Sequence, residues 1–131
     1  MIYGLQVENT KTNSREKRMQ HINSITSQPK QRMSLVLENN ETVDFYLYYL
    51  PRQFGWFYNF TYKDFTVNGS RATLSPNALR QFKNIIPFGI AFTSNSFIEP
   101  FDIDDFSSGR VNMYVLNSDD VKQIENEIFN L

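Results

Sequence analysis

The stretch Met33-Ser34-Leu35-Val36-Leu37-Glu38-Asn39-Asn40-Glu41-Thr42-Val43-Asp44-Phe45-Tyr46-Leu47-Tyr48-Tyr49 reads as two strands joined by a turn. On its second half Val43, Phe45, Leu47 and Tyr49 alternate with Asp44, Tyr46 and Tyr48. A period of two sends one set of side chains to a buried face and the other set toward water. The polar run Glu38-Asn39-Asn40-Glu41 supplies the turn, since Asn tolerates left-handed backbone and its amide bonds to backbone nearby. The pattern predicts an antiparallel hairpin with one buried face.

Beyond Pro51 and Gly55, Trp56-Phe57-Tyr58-Asn59-Phe60-Thr61-Tyr62 carries large residues on both faces. Such a strand is either central in its sheet or capped on its outer side. Phe65-Thr66-Val67, Asn68-Gly69 and Ser70-Arg71-Ala72-Thr73-Leu74 predict a second hairpin, with Asn-Gly providing the two positive φ angles of a type I′ turn. At Ser75-Pro76 the pattern changes. Ser75 suits an N-cap and Pro76 the first helical position, and Leu79, Phe82 and Ile86 form one apolar stripe, so a short helix is expected over 76–84, ended by Pro87. Phe88–Thr93 and Val111–Leu116 read as further strands joined by an aromatic and acidic connection, 94–109. Asn117 or Ser118 then caps a C-terminal helix near 118–129, with Asp119 and Asp120 at its positive end. The expected fold is mainly β: a small antiparallel barrel or sandwich with a short internal helix and a C-terminal helix.

At 131 residues the chain is expected to fold as one β-rich domain over 22–131, preceded by an N-terminal arm over 1–21. Residues 8–20 lack apolar periodicity and suit either an exposed loop or an arm ordered by a neighbouring subunit. Residues 1–40 carry a formal charge of +3 and the remainder −4, for a net −1. That balance gives no electrostatic reason to expect nucleic acid or an anionic membrane as partner. There is no cysteine, so disulfides and Cys-based metal sites are excluded. No apolar run reaches the length of a membrane span, and Met1-Ile2-Tyr3 does not open a signal peptide, so a soluble product is expected.

Catalytic chemistry finds little support. His21 stands alone in the basic arm, so no serine triad can be assembled. The acidic group Glu99, Asp102, Asp104 and Asp105 is interrupted by Pro100 and Phe101, and Gly109 comes too late for a calcium loop. These acids are expected in turns and caps. No cofactor, metal or catalytic residue is expected.

The rings of Tyr46, Tyr48, Trp56, Phe57, Tyr58, Phe60 and Tyr62 suit core packing and subunit contacts, because Tyr and Trp pair large apolar area with a polar tip. A rival reading makes Trp56, Tyr58 and Tyr62 the stacking face of a carbohydrate-binding module. A less favoured one is an oligonucleotide-binding barrel, which lacks the necessary basic stripe. Arg80 and Arg110 are the charges to watch. Arg110 follows Gly109 and has Asp102, Asp104 and Asp105 close by, so it suits a structural clamp on the loop 94–109 as well as an ordinary single ion pair.

Several segments in order resemble one family. They are Ile25, Gln31, Leu47 and Tyr49, then Gly55-Trp56-Phe57 and Asn68-Gly69-Ser70-Arg71. Next come Asn77-Ala78-Leu79-Arg80, Ile85-Ile86-Pro87-Phe88-Gly89-Ile90-Ala91 and Glu99-Pro100-Phe101. The series closes with Asp105-Phe106-Ser107-Ser108-Gly109-Arg110 and Tyr114-Val115-Leu116. Over about residues 22–125 the chain resembles the small baseplate plug family of contractile-tailed bacteriophages, of the cyanophage type. The resemblance implies a non-enzymatic virion protein, made in the host cytoplasm. It would plug or connect the central baseplate, near the hub and first tail-tube rings. Implied partners are hub, tail-tube or tube-initiator and wedge proteins, with copies of the chain in a ring. The residues singled out for structural or interface roles are Trp56, Asn77, Arg80, Pro87, Phe88, Glu99, Phe101, Phe106 and Arg110.

Overall fold

The computed structural model describes residues 19–129. The N-terminal arm expected over 1–21 lies, as far as residue 18, outside the described residues. Among the described residues, seven strands form two antiparallel sheets. The first sheet contains β2 (Lys30–Val36), β3 (Thr42–Leu50), β4 (Gly55–Tyr62) and β5 (Phe65–Arg71), in that order. The second has the order β1 (Gln20–Ile22), β7 (Val111–Leu116), β6 (Gly89–Ser94). Neither sheet closes on itself, so of barrel and sandwich the molecule is the sandwich.

The expected first hairpin is present, with Leu35 opposite Val43 and Met33 opposite Phe45. Its turn uses Asn40 at φ 68, and the Asn39 side chain accepts from the Glu41 N–H at 3.0 Å. Val43, Phe45 and Leu47 are fully buried. Strand β4 lies between β3 and β5, with Trp56, Tyr58, Phe60 and Tyr62 turned into the sandwich. Phe57 faces outward and is covered by the Arg71 guanidinium, 5.2 Å from its ring centroid, and by Tyr48. Ile90, Phe92, Val111, Met113 and Val115 meet these residues from the second sheet. Each large apolar side chain buried in this way contributes about 1.5–3 kcal/mol.

Asn68-Gly69 does not turn the chain. The β4–β5 turn falls at Lys63-Asp64, with Tyr62 paired to Phe65 and Lys63 itself at φ 51. Asn68-Gly69 instead forms a β-bulge inside β5, where the register shifts between Tyr58↔Ser70 and Phe60↔Val67. Gly69 takes φ +71 there, and its N–H donates to Asn59 Oδ1 at 2.6 Å. A bulge and a type I′ turn make the same demand for positive φ, so the dipeptide signal does not separate them.

The internal helix is shorter than the apolar stripe predicts. Only Arg80–Phe82 form a 3₁₀ turn. Ser75 exchanges two backbone bonds with Phe92, and the Ala78 N–H donates to the Ile90 carbonyl at 2.7 Å. Residues 75–78 therefore run beside β6 and their backbone is spent there. Leu79 and Ile86 still point inward and are buried. The C-terminal helix α1 (Ser118–Ile124) continues as a π-helical turn over Glu125–Phe129. Asn117 is its cap, in a reciprocal box with Asp120. Val121 of α1 packs with Ala91 and Leu116 on the outer face of the second sheet, making a third layer.

Candidate assembly surface

The connection from β6 to β7, residues 94–109, is built around one arginine. Arg110 Nε and Nη2 donate to Asp105 Oδ1 and Oδ2 at 2.8 and 2.7 Å. Nη1 donates to the Ile98 carbonyl at 2.8 Å and to Ser96 Oγ at 2.9 Å, and Nη2 to the Glu99 carbonyl at 3.1 Å. The guanidinium also lies 5.0 Å from the Phe101 ring centroid. Asp105 Oδ2 in turn accepts the N–H groups of Phe101 and Asp102. Burial pushes the Asp105 carboxyl up, but these bonds, led by Arg110, outweigh it and hold the group below the ordinary carboxylate range. Of the acidic group, Asp105 is thus a buried counter-ion, while Asp102 closes a turn onto the Asp104 N–H.

The loop is pinned to the first sheet as well. Tyr49 donates its hydroxyl proton to the Phe101 carbonyl at 2.8 Å, and Trp56 Nε1 donates to the Asp102 carbonyl at 3.1 Å. Phe106 sits edge-on to Trp56, with centroids 5.6 Å apart. Glu99 Oε1 accepts from the Leu74 N–H at 2.7 Å. On this fixed frame Phe97, Ile98 and Phe101 are 89%, 56% and 48% exposed. At the same pole of the sandwich, in the β3–β4 turn, Phe54 is 66% exposed. Phe54 and Phe97 both hold left-handed backbone, φ 49 and 59. That region costs an L-residue roughly 1–2 kcal/mol, and it persists only where surroundings enforce it.

The sequence-selected residues fall into two groups. Trp56, Glu99, Phe101, Phe106 and Arg110 converge on this loop. Asn77, Arg80, Pro87 and Phe88 lie along β6 and its approach. Asn77 is buried, and its Oδ1 accepts from the N–H groups of Leu79 and Ile90. Phe88 is core and Pro87 is exposed. Arg80 donates to both carboxylate oxygens of Glu125, at 2.7 and 3.2 Å, and lies over Phe129, tying the π-helical turn that follows α1 to the 3₁₀ turn. Phe54, Phe97 and Ile98 escaped the sequence reading. Their only signal is large apolar residues among Gln, Ser and Asn, where loop composition gives no reason for them.

The aromatic set divides between inside and outside. Trp56, Tyr58 and Tyr62 are 0%, 2% and 7% exposed, so they cannot form the stacking face of the carbohydrate reading. The burial follows from strand parity, since all three occupy the core-facing positions of β4. Tyr46, Tyr48 and Phe57 remain on the outer face, between Arg32 and Arg71. His21 is exposed in β1 and contacts Asn112 Oδ1 at 3.1 Å. No helix of the described residues is long and apolar enough to cross a membrane.

A family model described as the cyanophage baseplate Pam3 plug gp18 matches residues 19–119. The chain belongs to this family. No curated protein matches it. The match runs from the start of β1 into α1, so it takes in both sheets and the Arg110-centred loop. Membership is consistent with a structural part of the phage baseplate and fits a non-enzymatic protein. It implies a place in the virion and contacts with other baseplate and tail proteins.

Proposed function

We propose that this chain closes or connects the central baseplate of a contractile tail, between the hub and the first tail-tube rings. Copies repeat around the tail axis with threefold or sixfold symmetry, because closed assemblies reuse one interface. The supporting observation is the pole carrying Phe97, Ile98 and Phe101, large apolar groups presented on a loop that Arg110 holds rigid, with Phe54 beside them in the β3–β4 turn. Interfaces concentrate binding energy in such anchors, and a preformed loop has little ordering entropy left to lose. Phe101 is the contact residue among those picked out from the sequence. Glu99 and Arg110 hold the loop, and Trp56 and Phe106 are its floor. Asn77, Arg80, Pro87 and Phe88 shape the opposite approach to β6.

The native particle tests this reading. A reconstruction should place the chain on the tail axis, with the Phe97 loop against the hub or a tube-initiator ring. Density for the chain confined to the wedge periphery, or the loop facing solvent there, overturns it.

A further inference from the structure

Asn68-Gly69 is the one Asn-Gly dipeptide in the sequence. In such a pair the backbone nitrogen of the glycine can attack the asparagine side chain, because no Cβ obstructs the approach. That nitrogen must first give up its proton. A new N–Cγ bond then closes a five-membered succinimide, the Cγ–Nδ2 bond breaks, and the side-chain nitrogen leaves as ammonia with that proton. Water opens the ring at either carbonyl, giving aspartate or isoaspartate. Isoaspartate routes the backbone through the side chain and lengthens it by one carbon.

The bulge calls for the glycine and so keeps the liability. Gly69 sits at φ +71, a region that residues with a Cβ enter only at a cost. Asn68 is exposed, so water reaches its amide. One group stands against the reaction. Pairing runs from Tyr58↔Ser70 to Phe60↔Val67, which leaves Asn59 opposite both Asn68 and Gly69. Asn59 Oδ1 accepts the Gly69 N–H at 2.6 Å, and the Tyr48 hydroxyl donates to the same oxygen at 3.4 Å. The proton that must leave is therefore held by an acceptor that is itself fixed across the sheet.

We propose that Asn68 is the chain's site of spontaneous deamidation and that Asn59 is the residue that suppresses it. Asn59 acts by position: it keeps the Gly69 nitrogen protonated and its peptide tied to β4. Conversion would be felt beyond the bulge. Arg71, two residues on, covers the Phe57 ring and donates to the carbonyls of Gln53 and Phe54, so an extra backbone atom at 68 displaces the group that holds the β3–β4 turn. The inference is independent of the baseplate role and is tested on the isolated full chain.

The chain is held at mildly alkaline pH, and its peptides are followed by mass spectrometry that resolves asparagine, aspartate and isoaspartate. In guanidinium chloride Asn68 should convert first among the asparagines, and in the native chain at least about tenfold more slowly. Asn59→Ala should speed native conversion at Asn68 about two- to tenfold, the factor carried by one net hydrogen bond. Asn23 and Asn95, exposed and each followed by Ser, should keep their parent rates. Asn59→Asp retains an acceptor oxygen and should hold Asn68 at or below the parent rate. A native rate equal to the denatured one overturns the proposal, as does an unchanged rate in Asn59→Ala. Equal acceleration at Asn23 and Asn95 overturns it in favour of general loosening, and so does an Asn59→Asp rate as high as that of Asn59→Ala.

Discussion

Arg110 and Asp105, five residues apart, meet as two parallel bonds of 2.7 and 2.8 Å, with the Asp105 side chain only 5% exposed. The same guanidinium reaches the carbonyls of Ile98 and Glu99. One side chain therefore sets the path of the β6–β7 loop. Replacing it strands a buried carboxylate and two carbonyls. Arg110→Ala should cost about 3–5 kcal/mol, the range for breaking a buried pair from one side. Arg110→Lys should recover little, since one ammonium cannot span that set of acceptors. Denaturant unfolding measures the loss, and limited proteolysis should show cleavage within 94–109. Native-like stability for Arg110→Ala would rule out the clamp.

Phe97 exchanges stability for exposure. Phe97→Gly removes the side chain and relieves a φ of 59, so the isolated chain should gain roughly 0.5–1 kcal/mol. The same substitution should reduce incorporation into particles, scored by mass spectrometry of purified tails. Loss of stability in the free chain would show that Phe97 serves the fold.

Gly89 is required by contact. A Cβ placed on it would lie 2.6 Å from Asn77 Oδ1, the acceptor for Leu79 and Ile90. Gly89→Ala should destabilise by about 2–3 kcal/mol, as overpacking does. Asn77→Ala alone should cost about 1–3 kcal/mol by leaving two buried N–H groups open. Because both act on one contact, the double variant should fall short of the sum in a double-mutant cycle. Strict additivity would separate the two sites.

Glu41 gives the acid limb of stability. Bonds from Lys63, Tyr62 and Asn39 lower its pKa from 4.5 to about 2. A depressed carboxylate contributes fully above its unfolded value, so the contribution is complete above about pH 4.5 and fades as pH falls toward 2. Arg110-bound Asp105, also depressed, acts in the same direction. Glu41→Gln should flatten unfolding free energy between pH 5 and 2 relative to the parent, followed by urea titration at each pH. Identical profiles would mean that Glu41 is not held by these partners.

Strand identity and face were legible along the chain wherever alternation was strict. Val43, Phe45 and Leu47 needed only their spacing, because a pleated strand exposes alternate residues to the same side. The cap at Asn117 and the pairing of Arg110 with a nearby acid were legible too, since Asp120 and Asp105 lie within five residues of them. Three features depended on the fold. Asn68-Gly69 satisfies a turn or a bulge equally, and only pairing to β4 chose the bulge. Ser75 to Ala78 would cap and open a helix, but β6 offered its backbone first. Trp56, Tyr58 and Tyr62 became core and Phe97, Ile98 and Phe54 became surface through the stacking of two sheets and the course of loops between them. Local sequence encodes what each residue prefers among its near neighbours; which groups are covered depends on segments brought together from far apart in the chain, and that was decided only when the sheets closed on one another.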